Sequence, residues 1–293
     1  MSLTRPSYIR DILAQHKIRL KKSLGQHFLV DENILKKIAE AAQLSPEDTV
    51  VEIGAGVGTL TQELAQRAGR VIAVEIDSRL IPLLTEHLRP YANVVVVQQD
   101  FLQFDLHAVA PRQKLAIVGN LPYNVTAPIL EKLVEAHKIL KSATLLVQLE
   151  VAEKLCATPG TRDASAITIF VQGFAAVHKL FSVSRNVFFP KPEVDSALVR
   201  LEFYEHPKFR APEELFLRVV RAAFNLRRKT IKHALTRSPL LALPHELVLE
   251  ALQHAQIDPQ RRGETLSLEE FDKVAQALAR LRELRNCAIP RSR

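Results

Sequence analysis

The 293-residue chain contains no tryptophan, one methionine and two cysteines. Cys156 and Cys287 are far apart in sequence, which gives no disulfide framework and no cysteine-rich metal site. A reduced, cytoplasmic protein is expected. No apolar run approaches the roughly 18 residues needed to cross a bilayer, so no membrane contact is expected. The N-terminal stretch is polar and basic and lacks the apolar segment of a secretory signal. No internal repeat or low-complexity tract breaks the chain.

What is present is a 47% hydrophobic composition, sufficient for a sizeable core, in a length that fits one large domain and one small one. The net charge of +8 is unevenly spread. Residues 1–30 hold six Lys/Arg against one acid, and residues 207–293 hold seventeen against ten. The middle holds seventeen against twenty-one. A near-neutral body flanked by basic segments suits a protein that meets a polyanion.

Hydrophobic patterning predicts a succession of strand–helix units. Asp31 caps a helix through about Ala42. A strand at Thr49–Ile53 runs into Gly54-Ala55-Gly56-Val57-Gly58-Thr59, a glycine-rich strand-to-helix turn that allows close approach of a ligand to the backbone. The spacing differs from the dinucleotide fingerprint, whose third glycine would fall at Thr59. A second strand, Arg70–Ile76, ends at Glu75, 21 residues after Gly54. An acid there can accept both hydroxyls of a ribose. The third strand leads to Asp100, placed to accept from an adenine amino group, with Phe101 beside it. The fourth, Leu115–Val118, leads to Gly119-Asn120-Leu121-Pro122-Tyr123. Pro122 removes a backbone donor and keeps Leu121 extended, leaving carbonyl acceptors beside the Asn120 amide. Tyr123 adds a flat ring against which a base can stack. The glycine loop, Glu75, Asp100 and Asn120 thus fall at the C-terminal ends of successive strands, where open α/β sheets bind ligands.

Residues 164–177 and 196–203 read as β-rich, with Phe188-Phe189-Pro190-Lys191-Pro192 between them. Beyond His206-Pro207 the pattern turns helical, with helices expected near 212–224, 226–236, 244–254 and 267–284. If the second of these continued the first, Arg221, Arg228 and Lys232 would share a stripe flanked by Arg227 and Lys229, a row suited to phosphates.

Taken together, Leu24-Gly25-Gln26-His27-Phe28-Leu29, Val51-Glu52-Ile53-Gly54-Ala55-Gly56, Asn120-Leu121-Pro122-Tyr123-Asn124, Phe188-Phe189-Pro190-Lys191-Pro192, Arg227-Arg228-Lys229-Thr230 and Arg262-Gly263-Glu264-Thr265-Leu266 resemble the ribosomal RNA adenine N6,N6-dimethyltransferases of the bacterial small-subunit (16S) type, from about Lys21 to Ala279. The resemblance implies an α/β fold: a seven-stranded Rossmann-like methyltransferase sheet with a small all-α C-terminal domain. It implies residues 1–30 as a basic arm that begins the donor site, 31–206 as the catalytic domain and 207–293 as a helical rRNA-binding domain. The implied donor is S-adenosylmethionine, two per adenine and with no metal, held by His27, Leu29, Gly54, Glu75, Asp100 and Asn120 with their neighbours Gly56, Ile76 and Phe101. The family often carries Asn where this chain has His27. The implied chemistry is direct methyl transfer to a flipped adenine, with Asn120 and the Leu121 or Pro122 carbonyl accepting from N6 and with Tyr123 and Phe188 stacking on the base. The implied partner is 16S rRNA in the 30S subunit, met by Arg221, Arg227, Arg228, Lys229 and Lys232 of a monomer. The alternative is the 23S rRNA adenine methyltransferase of the macrolide-resistance type. It shares the Asn-(Ile/Leu)-Pro-Tyr loop, whereas the Leu form, Phe-Phe-Pro-Lys-Pro and Arg-Arg-Lys-Thr favour the small-subunit enzyme.

Overall fold

A computed structural model describes residues 5–21, 24–110, 113–226 and 228–287. The chain divides into two compact units, Met1–Glu153 with Ala176–Glu205, and Lys154–Ala175 with His206–Arg293. Residues 154–175 therefore group with the C-terminal helices, although they precede the last strands in sequence.

In the first unit a helix, α1 (Pro6–Gln15), and a two-residue strand, β1 (Phe28–Leu29), precede α2 (Glu32–Ala41). Asp31 caps α2 by accepting from the Ile34 N–H at 3.1 Å, as its position predicts. Leu35, Ile38 and Ala39 form the buried face of α2. The alternation then runs β2 (Thr49–Ile53), α3 (Thr59–Ala65), β3 (Arg70–Glu75), α4 (Ile81–Leu88), β4 (Val94–Gln98), β5 (Leu115–Asn120), α5 (Thr126–Glu135) and β6 (Leu140–Gln148). After α6 (Leu149–Cys156) and α7 (Ala166–Phe174) come β7 (Ala175–Val183), β8 (Phe188–Phe189) and β9 (Ser196–Phe203). Seven strands form one sheet in the order β4-β3-β2-β5-β6-β9-β7, and β1 pairs with β8 in a separate antiparallel ribbon. The pairs β2–β3, β3–β4, β2–β5 and β5–β6 are parallel, and β9 runs antiparallel to β6.

Strand order reverses between β2 and β5. Register sets Ile53 beside Gly119 there and Ile53 beside Val74 on the other side. The C-terminal ends of β2, β3, β4 and β5 consequently share one edge, the crevice favoured for ligands in such sheets. β2 is buried along its whole length, which fits its apolar sequence apart from Thr49 and Glu52.

The second unit is helical: α7, α8 (Glu213–Asn225), α9 (Ile231–Arg237), α10 (His245–His254) and α11 (Leu268–Cys287). Phe174, Phe209 and Phe216 pack in its core, the last two stacked with centroids 3.9 Å apart. Two expectations are corrected here. Residues 166–174 are a helix rather than a strand. The Ser165 N–H donates to Thr168 Oγ1 at 2.9 Å, and that hydroxyl donates to the Lys154 carbonyl at 2.6 Å. This start signal and burial of Ile169, Phe170, Val171 and Phe174 outweigh the β-preference of the run. The expected 226–236 helix begins only at Ile231, because Thr230 acts as an N-cap for the His233 N–H and forms an isolated bridge with Arg262.

Gly119 has no room for a side chain. A Cβ there would lie 2.9 Å from the Ile53 carbonyl oxygen. Gly119→Ala should push β5 from β2 and destabilise the protein by about 1–3 kcal/mol, read by denaturant unfolding.

Candidate active site

The loop after β2 turns through three left-handed glycines, Gly54 (φ 71°), Gly56 (φ 59°) and Gly58 (φ 90°), the last of which opens α3. The space a side chain would take at Gly54 is empty, whereas at Gly56 a Cβ would come within 2.9 Å of the Phe28 ring. The cavity beside this loop is lined by residues 24–29 and by Glu52, Glu75, Ile76, Gly119, Asn120 and Pro122, among others.

Glu75 braces the loop. One carboxylate oxygen accepts from the Gly56 N–H and the other from the Asp77 N–H, both at 2.8 Å. Burial raises its pKa against the pull of these donors. Each oxygen retains a second lone pair for a ligand hydroxyl. Next along, Ile76 is 47% exposed, an apolar side chain left at the edge of the cavity. Asp77 is held down to about 2, chiefly by hydrogen bonds from Arg79. It also accepts from Gln26 Nε2 at 2.9 Å, and Arg79 in turn donates to the Arg19 carbonyl at 2.8 Å. Asp100 caps a short 3-10 turn by accepting from the Leu102 N–H at 2.9 Å, while Phe101 is buried beside it. Both residues line an apolar continuation of the crevice with Ile53, Val74 and Ile76.

Opposite lies the Asn-Leu-Pro-Tyr loop. Asn120 Nδ2 donates to the His27 carbonyl at 2.8 Å, which fixes the amide and leaves Oδ1 as an acceptor. Leu121 is buried, and its N–H donates to the Leu146 carbonyl. The Pro122 carbonyl already accepts from Thr126 Oγ1 at 3.0 Å and the Val125 N–H at 3.2 Å. Of the two carbonyls expected to receive an amine, this leaves that of Leu121. The Tyr123 ring is stacked on His27, with centroids 5.6 Å apart, and its hydroxyl lies 3.2 Å from Ser196 Oγ. His27 Nδ1 lies 2.7 Å from the Pro190 carbonyl, so Nδ1 carries the proton and donates. Leu29 pairs with Phe188 across the β1–β8 ribbon. Phe188 is not the open stacking platform expected of it. It is 5% exposed and sits in the core cluster with Leu29 and Leu146, so its ring supports the cavity wall from within.

The structure also singles out Glu52, a residue inside one of the sequence motifs to which no role was expected to fall. It is fully buried, and Oε2 has no hydrogen-bond partner. Burial pushes its pKa up to about 8, with the Thr61 hydroxyl opposing and Glu75 adding to the rise. An acid in an otherwise apolar strand was the available signal.

The basic residues expected to meet RNA lie in the second unit. The break before α9 removes the continuous helical stripe. Arg221 sits with its guanidinium 5.3 Å from the Phe170 ring centroid, Arg228 and Lys229 are exposed in the connecting turn, and Lys232 lies in the first turn of α9. Arg227 lies outside the described residues. No helix among the described residues is long and apolar enough to cross a membrane.

The family model for ribosomal RNA adenine dimethylase matches residues 17–280. The chain belongs to that family. Among its relatives, Ribosomal RNA small subunit methyltransferase A of Geobacillus thermodenitrificans is 44% identical over 283 residues, which cover 94% of this chain and 97% of the relative. The protein of the same name from Clostridium botulinum (strain Loch Maree) is 41% identical, over 92% and 98%. Among solved structures, a dimethyladenosine transferase from Plasmodium falciparum is 28% identical with a TM-score of 0.72, covering 85% of this chain and 96% of its own. The 23S rRNA methyltransferase ErmE is 32% identical with a TM-score of 0.65, covering 86% and 99%.

Membership in the adenine dimethylase family makes the chain a methyltransferase and implies S-adenosylmethionine as methyl donor. The cavity fits such a group. It offers a glycine turn with open space at Gly54, a carboxylate with spare lone pairs at Glu75, an exposed apolar side chain at Ile76 and an unpartnered buried oxygen at Glu52.

A neutral Glu52 has a consequence for stability. Its folded pKa of about 8 lies above the unfolded value of 4.5. Its contribution to stability is therefore fully present below pH 4.5 and is lost as pH rises toward 8, by at most about 1.4 kcal/mol per pH unit. Glu52→Gln should flatten that decline, and unfolding curves of both proteins between pH 5 and 9 check it.

Proposed function

We propose that this protein dimethylates N6 of two adjacent adenines in the loop of the 3′-terminal hairpin of 16S rRNA, acting on the 30S subunit during small-subunit biogenesis. Two donors are consumed per adenine, and the protein acts as a monomer. The observation that carries this reading is the Asn120 amide. It is locked by its bond to the His27 carbonyl, with Oδ1 left as an acceptor at the switch-point edge and Tyr123 beside it. A fixed acceptor next to an aromatic ring suits an exocyclic amine on a flat base.

When bound, S-adenosylmethionine supplies a methyl group already made electrophilic by its sulfonium. Gly54 and Gly56 would approach it through their backbone, Glu75 would accept the ribose hydroxyls, and Ile76 and Phe101 would cover the adenine ring whose amino group Asp100 receives. His27 and Leu29 would close the side facing Asn120. The target adenine must leave its stack, at a cost of a few kcal/mol. Asn120 Oδ1 and the Leu121 carbonyl would then accept hydrogen bonds from the N6 hydrogens present and turn the nitrogen lone pair toward the methyl. As the N–C bond forms the S–C bond breaks, a neutral thioether leaves, and N6 releases one proton to solvent in each transfer. Pro122 would fix that loop, Tyr123 would carry the base, and Phe188 would hold the wall behind it. Alignment of two bound reactants can lower a barrier by about 7–11 kcal/mol. In the helical unit, Arg228, Lys229 and Lys232, with Arg221 and Arg227, would meet rRNA phosphates, which position a substrate without specifying its sequence.

The 23S reading is supported by the likeness to ErmE, at 32% identity. The small-subunit reading is supported by relatives at 41–44% identity over more than nine-tenths of the chain. Transfer of tritiated methyl to undermethylated 30S and 50S particles separates them. Incorporation into 30S alone, as dimethyladenosine, is expected, and incorporation into 50S alone would overturn the assignment.

Asn120→Ala should lower turnover by a factor of about 10²–10³, the typical effect of removing one well-placed hydrogen-bonding group from a transition state. Donor binding should remain measurable by calorimetry. Wild-type turnover would remove Asn120 from the amine site.

A further inference from the structure

The first unit carries a second groove, outside the donor cavity. Its walls are Arg10, Leu13 and Ala14 from α1, Lys17 to Leu20 from the turn that follows, and Phe189 from β8. Three cations line it and no acid does; the single acid of the segment, Asp11, is not part of the wall. None of the three cations makes an ion pair among the described residues. The Arg10 guanidinium carbon instead lies 5.7 Å from the centroid of the half-buried Phe189 ring. A groove that joins unpaired cations to an aromatic ring has the features with which proteins hold single-stranded nucleic acid: charge for the backbone, and flat groups for bases.

Its position strengthens this match. Phe189 lies opposite Phe28 in the β1–β8 ribbon, and Phe28 packs against Gly56 of the donor loop. One ribbon therefore separates the groove from the donor cavity. The turn that forms the groove is built rather than loose. Lys17 adopts a left-handed conformation (φ 54°), and the Ile18 N–H donates to the Leu13 carbonyl at 2.8 Å. The Arg19 carbonyl accepts from Arg79, which is bound to Asp77 beside Glu75. Phe189 also precedes Pro190, whose carbonyl accepts a hydrogen bond from His27 Nδ1–H, the same His27 whose carbonyl orients Asn120.

We propose that this groove seats the rRNA strand flanking the target adenine, with phosphates on Arg10, Lys17 and Arg19 and a neighbouring base against Phe189. The assignment rests on the rRNA substrate reading above and adds to it a docking surface within the catalytic unit itself. Binding of an rRNA fragment at several salt concentrations tests it. Each phosphate of a single strand that is no longer neutralised changes the slope of log K against log salt by about 0.7. A triple variant, Arg10→Gln, Lys17→Gln and Arg19→Gln, should flatten that slope by about two, raise KM for 30S and leave the donor Kd unchanged. An unaltered slope in this variant would overturn the proposal. A second measurement uses wild-type protein and 4-thiouridine-substituted RNA, so it does not depend on the variant folding. Photo-crosslinks on residues 10–20 or Phe189 support the groove, and crosslinks confined to other segments overturn it. If wild-type protein transfers no methyl to 30S, the substrate reading falls and the groove assignment falls with it. Transfer by wild type combined with an unaltered slope in the variant removes the groove alone.

Discussion

The closeness of β2 and β5 is the constraint from which the site follows. Gly119 lies against the Ile53 backbone with no room for a Cβ, so the two strands meet without an intervening side chain at the end where chain order reverses. That approach brings the glycine turn, which leaves β2 at Ile53, beside Asn120, which ends β5. Donor and acceptor sides of a methyl transfer need to face each other at this scale. A parallel pair at a switch point achieves it because both strands deliver their C-terminal loops to one crevice.

Around that junction, the polar groups of the crevice are fixed by bonds to backbone rather than by chance packing. Glu75 ties the Gly56 and Asp77 N–H groups together, Asn120 is held by the His27 carbonyl, and His27 is held by the Pro190 carbonyl. Each bond removes rotational freedom from a side chain before any ligand arrives, which is the general condition for a preorganised site. The β1–β8 ribbon connects these restraints, because His27 precedes its first strand and Pro190 follows its second.

Most of the sheet was legible in the sequence because its signals are local and strong, but β7 was not: β character was expected over 164–177, and the strand runs Ala175–Val183. β2 runs from Thr49 to Ile53 as its apolar run and the following glycines indicate, and Glu75, Asp100 and Asn120 lie at strand ends as their spacing implies. Residues 166–174 were not legible as a helix. Ile, Thr, Phe and Val favour strands, and the Ser165–Thr168 start signal gains its weight only when Lys154 is near enough to accept a hydrogen bond. The break at Thr230 was hidden for a related reason, since the bridge to Arg262 joins residues more than thirty apart. Within the site, the sequence showed that Pro122 frees a carbonyl acceptor. It could not show that Thr126 and Val125 would occupy that carbonyl, nor that Phe188 would be turned into the core.

Electrostatics gives the two sides of the proposed reaction different requirements. A sulfonium donor is cationic, and rRNA is a dense polyanion, so a cavity strongly acidic at its mouth would take the first and repel the second. Three acids at the ends of β2 and β3 are buried. Glu52 is fully buried with a pKa near 8 and is largely uncharged at neutral pH, Glu75 is buried and engaged by two N–H groups, and Asp77 is covered by Arg79. The cations Arg10, Lys17 and Arg19 line an open groove instead. On the proposed reading, the negative potential that favours a cationic donor stays local to the cavity. It is short in range because backbone donors and a guanidinium offset it. On the proposed reading, a phosphate backbone would meet the exposed Arg10, Lys17 and Arg19, while burial of the three acids keeps the two fields apart.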